Sequence, residues 1–185
     1  MEIELVEVPI SALTTHASIS IAFEVDRILE IETRGHEFVL SERQLEISYT
    51  KDYDSIPGEG PASWPKRFDV SNWGLIEARV DDRTVGGAVI ASDTGDQAVL
   101  WDIRVVPELR RQGIGAGLFR AAETWAIKRG CRRLTVETQN INAGACRFYA
   151  RQGFTLREIN RLAYPELPGE IQMTWYKDYL PPSFF

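Results

Sequence analysis

Cysteine and histidine are scarce: the chain has only Cys131, Cys146, His16 and His36. Two cysteines make no disulfide framework, and both read as small core residues. Isolated histidines with no Cys-x-x-Cys pair leave no spacing for a zinc centre, so no metal is expected. No apolar run approaches the ~20 residues of a membrane helix, so no membrane association is expected. The start, Met1-Glu2-Ile3-Glu4-Leu5, lacks the basic region and apolar stretch of a secretory leader. A soluble, cytoplasmic protein is expected. Basic residues are outnumbered: 21 Lys and Arg face 27 Asp and Glu, a net charge of −6. That argues against a nucleic-acid partner, whose phosphates are gripped by clustered cations. An acidic surface suits a cationic partner, although many acidic proteins have none.

What is present is ordinary for a globular chain: 44% hydrophobic and 26% charged in 185 residues. One domain over residues 1–185 accounts for that length. Repeats are absent. Ile3, Leu5 and Val8 suggest a short first strand. Ile19, Ile21, Phe23 and Val25 alternate as in a strand, but Val25, Ile28 and Leu29 fit a helix as well. Phe38 to Tyr49 reads as extended or mixed. Tyr53 to Trp73 holds Pro57, Gly58, Gly60, Pro61 and Pro65 and reads as a long loop.

The later pattern is cleaner. Leu75–Val80, Thr84–Ala91 and Ala98–Val106 read as three strands of an antiparallel meander, with turns at 81–83 and 92–96. Pro107 ends the third strand. Residues 113–129 read as a helix with Ile114, Leu118, Ala122, Trp125 and Ala126 on one stripe. Gly130 stands at its C′ position. Leu134–Thr138 is a strand, Asn142 an N-cap, and 143–152 a helix closed by Gly153. Phe154–Arg161 and Ile171–Tyr176 complete the pattern. The order predicts an α/β or α+β fold with a mixed sheet.

The segment Ile103-Arg104-Val105-Val106-Pro107-Glu108-Leu109-Arg110-Arg111-Gln112-Gly113-Ile114-Gly115-Ala116 carries the strongest chemistry. A strand ends, an arginine-rich turn follows, and a helix begins on two glycines. Unpaired N–H groups and a positive dipole end make a phosphate site. Gly113 and Gly115 let the backbone approach the ligand, and Arg110 and Arg111 can add charged hydrogen bonds. A dinucleotide fingerprint lacks its third glycine, and a Walker A loop lacks its Gly-Lys-Ser/Thr. The plain alternative is a glycine-rich helix start with exposed arginines.

Arg110-Arg111-Gln112-Gly113-Ile114-Gly115 resembles the Gln/Arg-x-x-Gly-x-Gly/Ala motif of the GNAT N-acetyltransferases. Asn142-Ala143-Gly144-Ala145-Cys146-Arg147-Phe148-Tyr149, followed by Gly153-Phe154, resembles their second signature. Together they cover about residues 75–176, the cofactor-binding core. The first ~74 residues are divergent and lie on the substrate side. The resemblance implies a GNAT fold: a mostly antiparallel mixed sheet with splayed central strands, flanked by helices. It implies acetyl-coenzyme A as cosubstrate. Ile103, Arg104 and Val105 would bond the pantetheine arm through their backbone. The amides of Arg111, Gln112, Gly113, Ile114, Gly115 and Ala116 would hold the pyrophosphate. Asn142 would touch the cofactor arm, and Tyr149 would protonate the departing thiolate.

Amine acetylation needs a neutral amine, yet a lysine-type amine has a pKa near ~10.4. A carboxylate can take that proton, directly or through water. The thioester oxygen needs a donor, for which a main-chain N–H near Val105 is the candidate. Glu137 is the candidate base. Leu134, Val136 and Thr138 share one strand face, so Glu137 points to the other. Acetyltransferases of ribosomal-protein N-termini have a similarly placed glutamate. Asp102 is a second carboxylate, for substrate binding or as alternative base. The plain readings are a surface glutamate, a core tyrosine at 149 and an outward strand aspartate.

Val136-Glu137-Thr138-Gln139-Asn140 through Tyr149-Ala150 is similar to a stretch of the streptothricin acetyltransferases, as are Lys51-Asp52-Tyr53-Asp54, Asp102-Ile103-Arg104-Val105 and Trp125-Ala126. This wider resemblance implies a small cationic amine as substrate. Asp52, Asp54, Glu59 and Asp102 would form a negative pocket, walled by Tyr53, Trp64 and Trp73. A solvated acidic loop is the plain alternative. Two other functions stay open: acetylation of a protein N-terminus or another amine, for which Tyr164-Pro165 resembles a segment of ribosomal-protein acetyltransferases, and a non-catalytic module that binds coenzyme A. The oligomeric state is not fixed by the sequence, and a homodimer stays open.

Overall fold

The computed structural model describes residues 2–93 and 95–179. Thr94, in the expected turn at 92–96, lies outside the described residues. The elements in chain order are β1 (Glu4–Val8), α1 (Leu13–Ala17), β2 (Phe23–Arg34), β3 (Glu37–Lys51), α2 (Trp64–Arg67), β4 (Trp73–Val80), β5 (Arg83–Ser92), β6 (Gln97–Val105), α3 (Ile114–Lys128), β7 (Arg133–Gln139), α4 (Ala143–Arg151), β8 (Thr155–Asn160) and β9 (Gln172–Asp178). Among the described residues no helix is long and apolar enough to cross a membrane. The described residues form two compact units, the first from 2–22, 52–134 and 178–179, the second from 23–51 and 135–177.

In the first unit, β1, β4, β5 and β6 lie side by side, each pair antiparallel. The meander expected at 75–106 is therefore present. Its two faces can be read from two consecutive glycines. A Cβ on Gly86 would point at Leu118 and Ile114 of α3, whereas one on Gly87 would meet His16 Nδ1 of α1 at 2.4 Å. Alternate strand residues face opposite sides, so α3 covers one face and α1 the other. On α3, Ile114, Leu118, Phe119, Ala122, Trp125 and Ala126 are all buried. Five of these lie on the predicted stripe, and Phe119 widens it. Each large side chain so buried contributes about 1.5–3 kcal/mol. Register slips between Val89 and Ile90, which face Asp102 and Leu100, so Trp101 is the extra residue of a bulge. Its ring packs on Trp73, Trp64 and Phe68, with centroids 4.4, 5.6 and 5.0 Å away.

Residues 53–73 are more structured than the single long loop expected. Two 3-10 turns, Tyr53–Ser55 and Pro61–Ser63, and the one-turn helix α2 occupy them. Pro61 and Pro65 sit in first turns, where a missing N–H costs nothing. The prolines that argued against a helix thus start two short ones.

In the second unit, β2 and β3 form an antiparallel hairpin around Gly35-His36. The ambiguous stretch at 25–30 is strand. Val25, Leu29 and Ile31 are buried with strand parity, and ladder pairing with β3 decides against the helical reading. β9 lies between β7 and β8, and β8 pairs with it antiparallel. Helix α4 begins at Asn142, whose side chain accepts from the Ala145 N–H at 3.0 Å.

Candidate functional site

The turn after β6 is built locally. Val106 N–H bonds Val85, and Pro107–Leu109 make a 3-10 turn. Arg111 (φ +61°) and Gly113 (φ +88°) both take left-handed backbone, which swings the chain into α3. Arg111, Gln112 and Gly113 are exposed. Gly113 is the N-cap and, among the described residues, no side chain caps the helix. Its missing Cβ would meet nothing among the described residues within 4 Å. The first amides of α3 have no partner inside the helix, and the positive end of the helix dipole lies at this exposed turn. A pyrophosphate fits that donor set.

Arg110 behaves differently from Arg111. Its guanidinium donates to three main-chain carbonyls, Val105 at 3.0 Å, Ala22 at 2.7 Å and Ser20 at 2.5 Å. It fastens residues 20–22 to the end of β6 and, in this structure, is turned toward its own main chain. Arg111 is the exposed cation of the pair.

Ile103 and Val105 are half-buried, with Arg104 buried between them. Arg104 and Asp102 lie on the α1 side. Arg104 Nε donates to Asp102 at 2.5 Å, and its terminal nitrogens donate to Asp54 at 2.5 and 2.9 Å and to the Ile19 carbonyl at 3.1 Å. His16 Nε2 stands 3.2 Å from the same Asp102 oxygen, while its Nδ1 is buried with no partner among the described residues. An acceptor carboxylate on one side and no partner on the other favour the tautomer with its proton on Nε2. Asp102 is 8% exposed rather than outward. Its carboxyl sits below the ordinary carboxylate value: burial opposes ionisation, but the hydrogen bond from His16 and the charge of Arg104 outweigh it.

The structure thus joins Asp54 and Asp102 around a cation that sequence reasoning had not connected to them. Asp52 serves its own turn, accepting from the Asp54 N–H at 3.0 Å. Tyr53 opens the 3-10 turn and is half-buried. Trp64 and Trp73 belong to the aromatic cluster with Trp101, and Trp64 is buried. The alternation Ala98, Leu100, Asp102, Arg104 along β6 was the available signal for a buried ion pair.

Along β7, Leu134, Val136 and Thr138 are buried and Glu137 is exposed, as strand parity predicts. Glu137 is not a bare surface carboxylate. Tyr164 Oη donates to its Oε1 at 2.5 Å and Gln172 Nε2 to its Oε2 at 2.6 Å. Neither partner was picked out for this in the sequence. Tyr149 is 5% exposed, with ring centroids of Phe148 and Phe154 at 5.1 and 5.5 Å. Asn142 Oδ1 is the helix cap described above. Among the described residues no cluster of three or more potential metal ligands occurs.

A strand end, an exposed turn and a helix start with no side-chain cap among the described residues form an arrangement that can hold a diphosphate by its main chain. The chain belongs to the acetyltransferase (GNAT) family, whose model matches residues 28–154. It is 31% identical over 157 residues to the streptothricin acetyltransferase of Escherichia coli, covering 83% of this chain and 84% of that one. Against streptothricin acetyltransferase A of Bacillus subtilis the identity is 32% over 99 residues, 52% of this chain and 57% of that protein's length. The fold is shared with a Bacillus anthracis protein assigned as a streptothricin acetyltransferase and solved in complex with acetyl coenzyme A. There the TM-score is 0.81 at 22% identity, over 96% of this chain and 100% of that one. These matches bear out the expected GNAT fold.

Proposed function

We propose that this chain transfers the acetyl group of acetyl coenzyme A to a primary amine of a small cationic molecule such as streptothricin. The exposed, side-chain-free start of α3 at Gly113 carries the reading, because it offers main-chain donors and positive potential to a pyrophosphate and little else. Identity to the Escherichia coli enzyme along most of both chains supports the substrate class.

Acetyl coenzyme A supplies the acetyl group as a thioester. The amides of residues 111–116 receive the pyrophosphate, with Arg111 adding charge. The backbone of Ile103, Arg104 and Val105 aligns the pantetheine arm, and the N–H near Val105 is assigned to the thioester oxygen. Glu137 takes the amine proton, Tyr149 returns one to the thiolate, and Asn142 lies beside the arm. Asp52, Tyr53 and Asp54 gather the cationic substrate, with Asp102 behind them. Since Arg104 offsets part of the charge of Asp54 and Asp102, the pull on a cation is weaker than three free carboxylates would give. We assign both units to one acetyltransferase domain acting in the cytoplasm. Acetylating streptothricin removes one cation and weakens its grip on ribosomal RNA, so the proposed role includes resistance to that antibiotic.

The test is thiol release from acetyl coenzyme A with streptothricin, spermidine and a panel of N-terminal peptides. Release with streptothricin alone supports the reading. Release only with peptides transfers the activity to protein N-termini. Cofactor binding without release from any acceptor makes the chain a binding module.

A further inference from the structure

Tyr164 lies in the turn between β8 and β9, a segment no role above claims. The turn is closed internally by Leu167 N–H to the Tyr164 carbonyl at 3.0 Å and by Glu170 N–H to Leu167 at 3.1 Å. It is fastened at its end by three bonds. Lys51 Nζ pairs with Glu170 at 2.5 Å, Ile171 N–H donates to Asn140 Oδ1 at 2.7 Å, and Asn140 N–H donates to the Ile171 carbonyl at 3.1 Å. Asn140 and Glu170 are both buried. Arg161 ties the other end to the Ile31 carbonyl at 3.0 Å. A surface tyrosine needs none of this.

The hydroxyl has a fixed direction. Gln139 Nε2 donates to Tyr164 Oη at 3.0 Å, and Tyr164 Oη lies 2.5 Å from Glu137 Oε1. Gln139 and Glu137 are two apart on β7 and share a face. An amide N–H occupies one lone pair, so the hydroxyl hydrogen points at the carboxylate. A tyrosine oxygen has a second lone pair. Glu137's other oxygen is engaged by Gln172.

We propose that Tyr164 relays the proton of the attacking amine to Glu137. The amine N–H proton passes to Tyr164 Oη while the hydroxyl proton passes to Glu137 Oε1. One N–H bond and one O–H bond break, two O–H bonds form, and the amine is left neutral, Tyr164 unchanged and Glu137 protonated. The inference rests on Glu137 being the base of the proposed reaction. Burial, then the hydrogen bond to Glu137, push the Tyr164 hydroxyl well above the ordinary tyrosine value, with the charges of Glu137 and Glu170 adding to it and Gln139 opposing. It is therefore a neutral shuttle in the resting enzyme, not a second base.

The experiment is Tyr164→Phe in the full chain, with acetyl coenzyme A and whichever amine of the panel is turned over. The single-turnover rate falls about 100-fold, with KM for acetyl coenzyme A unchanged. In mixed H2O and D2O the wild-type rate curves with deuterium content, as two moving protons require, and the Tyr164→Phe rate falls on a line. Tyr164→Phe adds no loss on top of Glu137→Gln. A fully active Tyr164→Phe overturns the relay, as does a linear wild-type response, which leaves Tyr164 a positioning residue. A fully active Glu137→Gln overturns the base assignment itself, whereas an inactive Glu137→Gln beside an active Tyr164→Phe removes only the relay. A readout independent of any acceptor is the tyrosinate absorbance difference between wild type and Tyr164→Phe. It titrates above the ordinary tyrosine range and moves down in Glu137→Gln. A Tyr164 that titrates with the other tyrosines overturns the coupling.

Discussion

Arg104 holds Asp54 with both terminal guanidinium nitrogens, at 2.5 and 2.9 Å, and turns its Nε to Asp102 at 2.5 Å. One buried cation thereby ties the turn at 53–55 to the middle of β6. Breaking a buried pair from one side leaves an uncompensated charge and costs about 3–5 kcal/mol. Arg104→Leu is expected to lose that much in urea unfolding, because Asp102 stays buried. Asp54→Asn is expected to lose only about 1 kcal/mol, since its carboxylate reaches solvent. Arg104→Lys does not restore the wild type, as an ammonium cannot make the two-nitrogen grip. Equal losses in Arg104→Leu and Asp54→Asn would contradict this division.

Asp102 also sets an acid limit. Its folded value is lowered, so the unfolded state binds more protons as pH falls. The contribution is complete above the unfolded value, near ~3.9. It is lost as pH falls through the folded value below that. Asp102→Asn should flatten the stability curve below about pH 4 and leave its shape above unchanged. Urea midpoints across acid pH check this, and parallel curves for the two proteins would refute it.

What was legible in the sequence was local. The glycine turn at 113, the Asn142 cap and the parity of Glu137 each depend on a few neighbours in the chain, and each is found where expected. The ambiguous 25–30 stretch is settled by pairing with residues between 41 and 49, which no window of that length contains. Arg104 meets Asp54 across 50 residues, and Tyr164 meets Glu137 across 27. Such partners have no spacing rule, so composition could name the carboxylates but not the groups that occupy them. Arg110 and Arg111 look alike in sequence. Only the left-handed backbone at 111 sends one outward while the other turns back to residues 20–22.

Gly113→Val tests the pyrophosphate turn. A β-branched side chain at φ +88° is strained by about 1–3 kcal/mol, so some thermal stability goes with it. The new side chain also enters the open space before α3. Coenzyme A affinity is expected to fall at least 10-fold in calorimetry run well below the melting transition, since one diphosphate hydrogen-bond set is worth more than ~1.4 kcal/mol. Unchanged affinity would remove the turn from the binding site.

Both thiols should be silent in the folded protein. Burial pushes Cys146 up to about 11, and Cys131 is raised as well, burial again leading. Reaction needs the thiolate. Ellman's reagent at pH 8 should therefore find no fast thiol before urea and two after. A fast thiol in the folded state would show that one of these sites opens, and would compromise any assay of coenzyme A release.

Tyr149 raises the sharpest test of the catalytic assignment. It is 5% exposed and sits between Phe148 and Phe154, which is what a core aromatic does. A proton donor to a thiolate has to reach the reacting atoms. Tyr149→Phe keeps the ring and its packing and removes only the hydroxyl, so the two roles separate. If the hydroxyl protonates the thiolate, turnover falls about 100-fold while the melting temperature shifts by a few degrees at most and coenzyme A binds as before. If the ring alone matters, turnover is unchanged, and the departing thiolate draws its proton from another group or from water. Tyr149→Leu then distinguishes further, since it disrupts both aromatic contacts and should lower stability by about 1–3 kcal/mol whichever role the hydroxyl has.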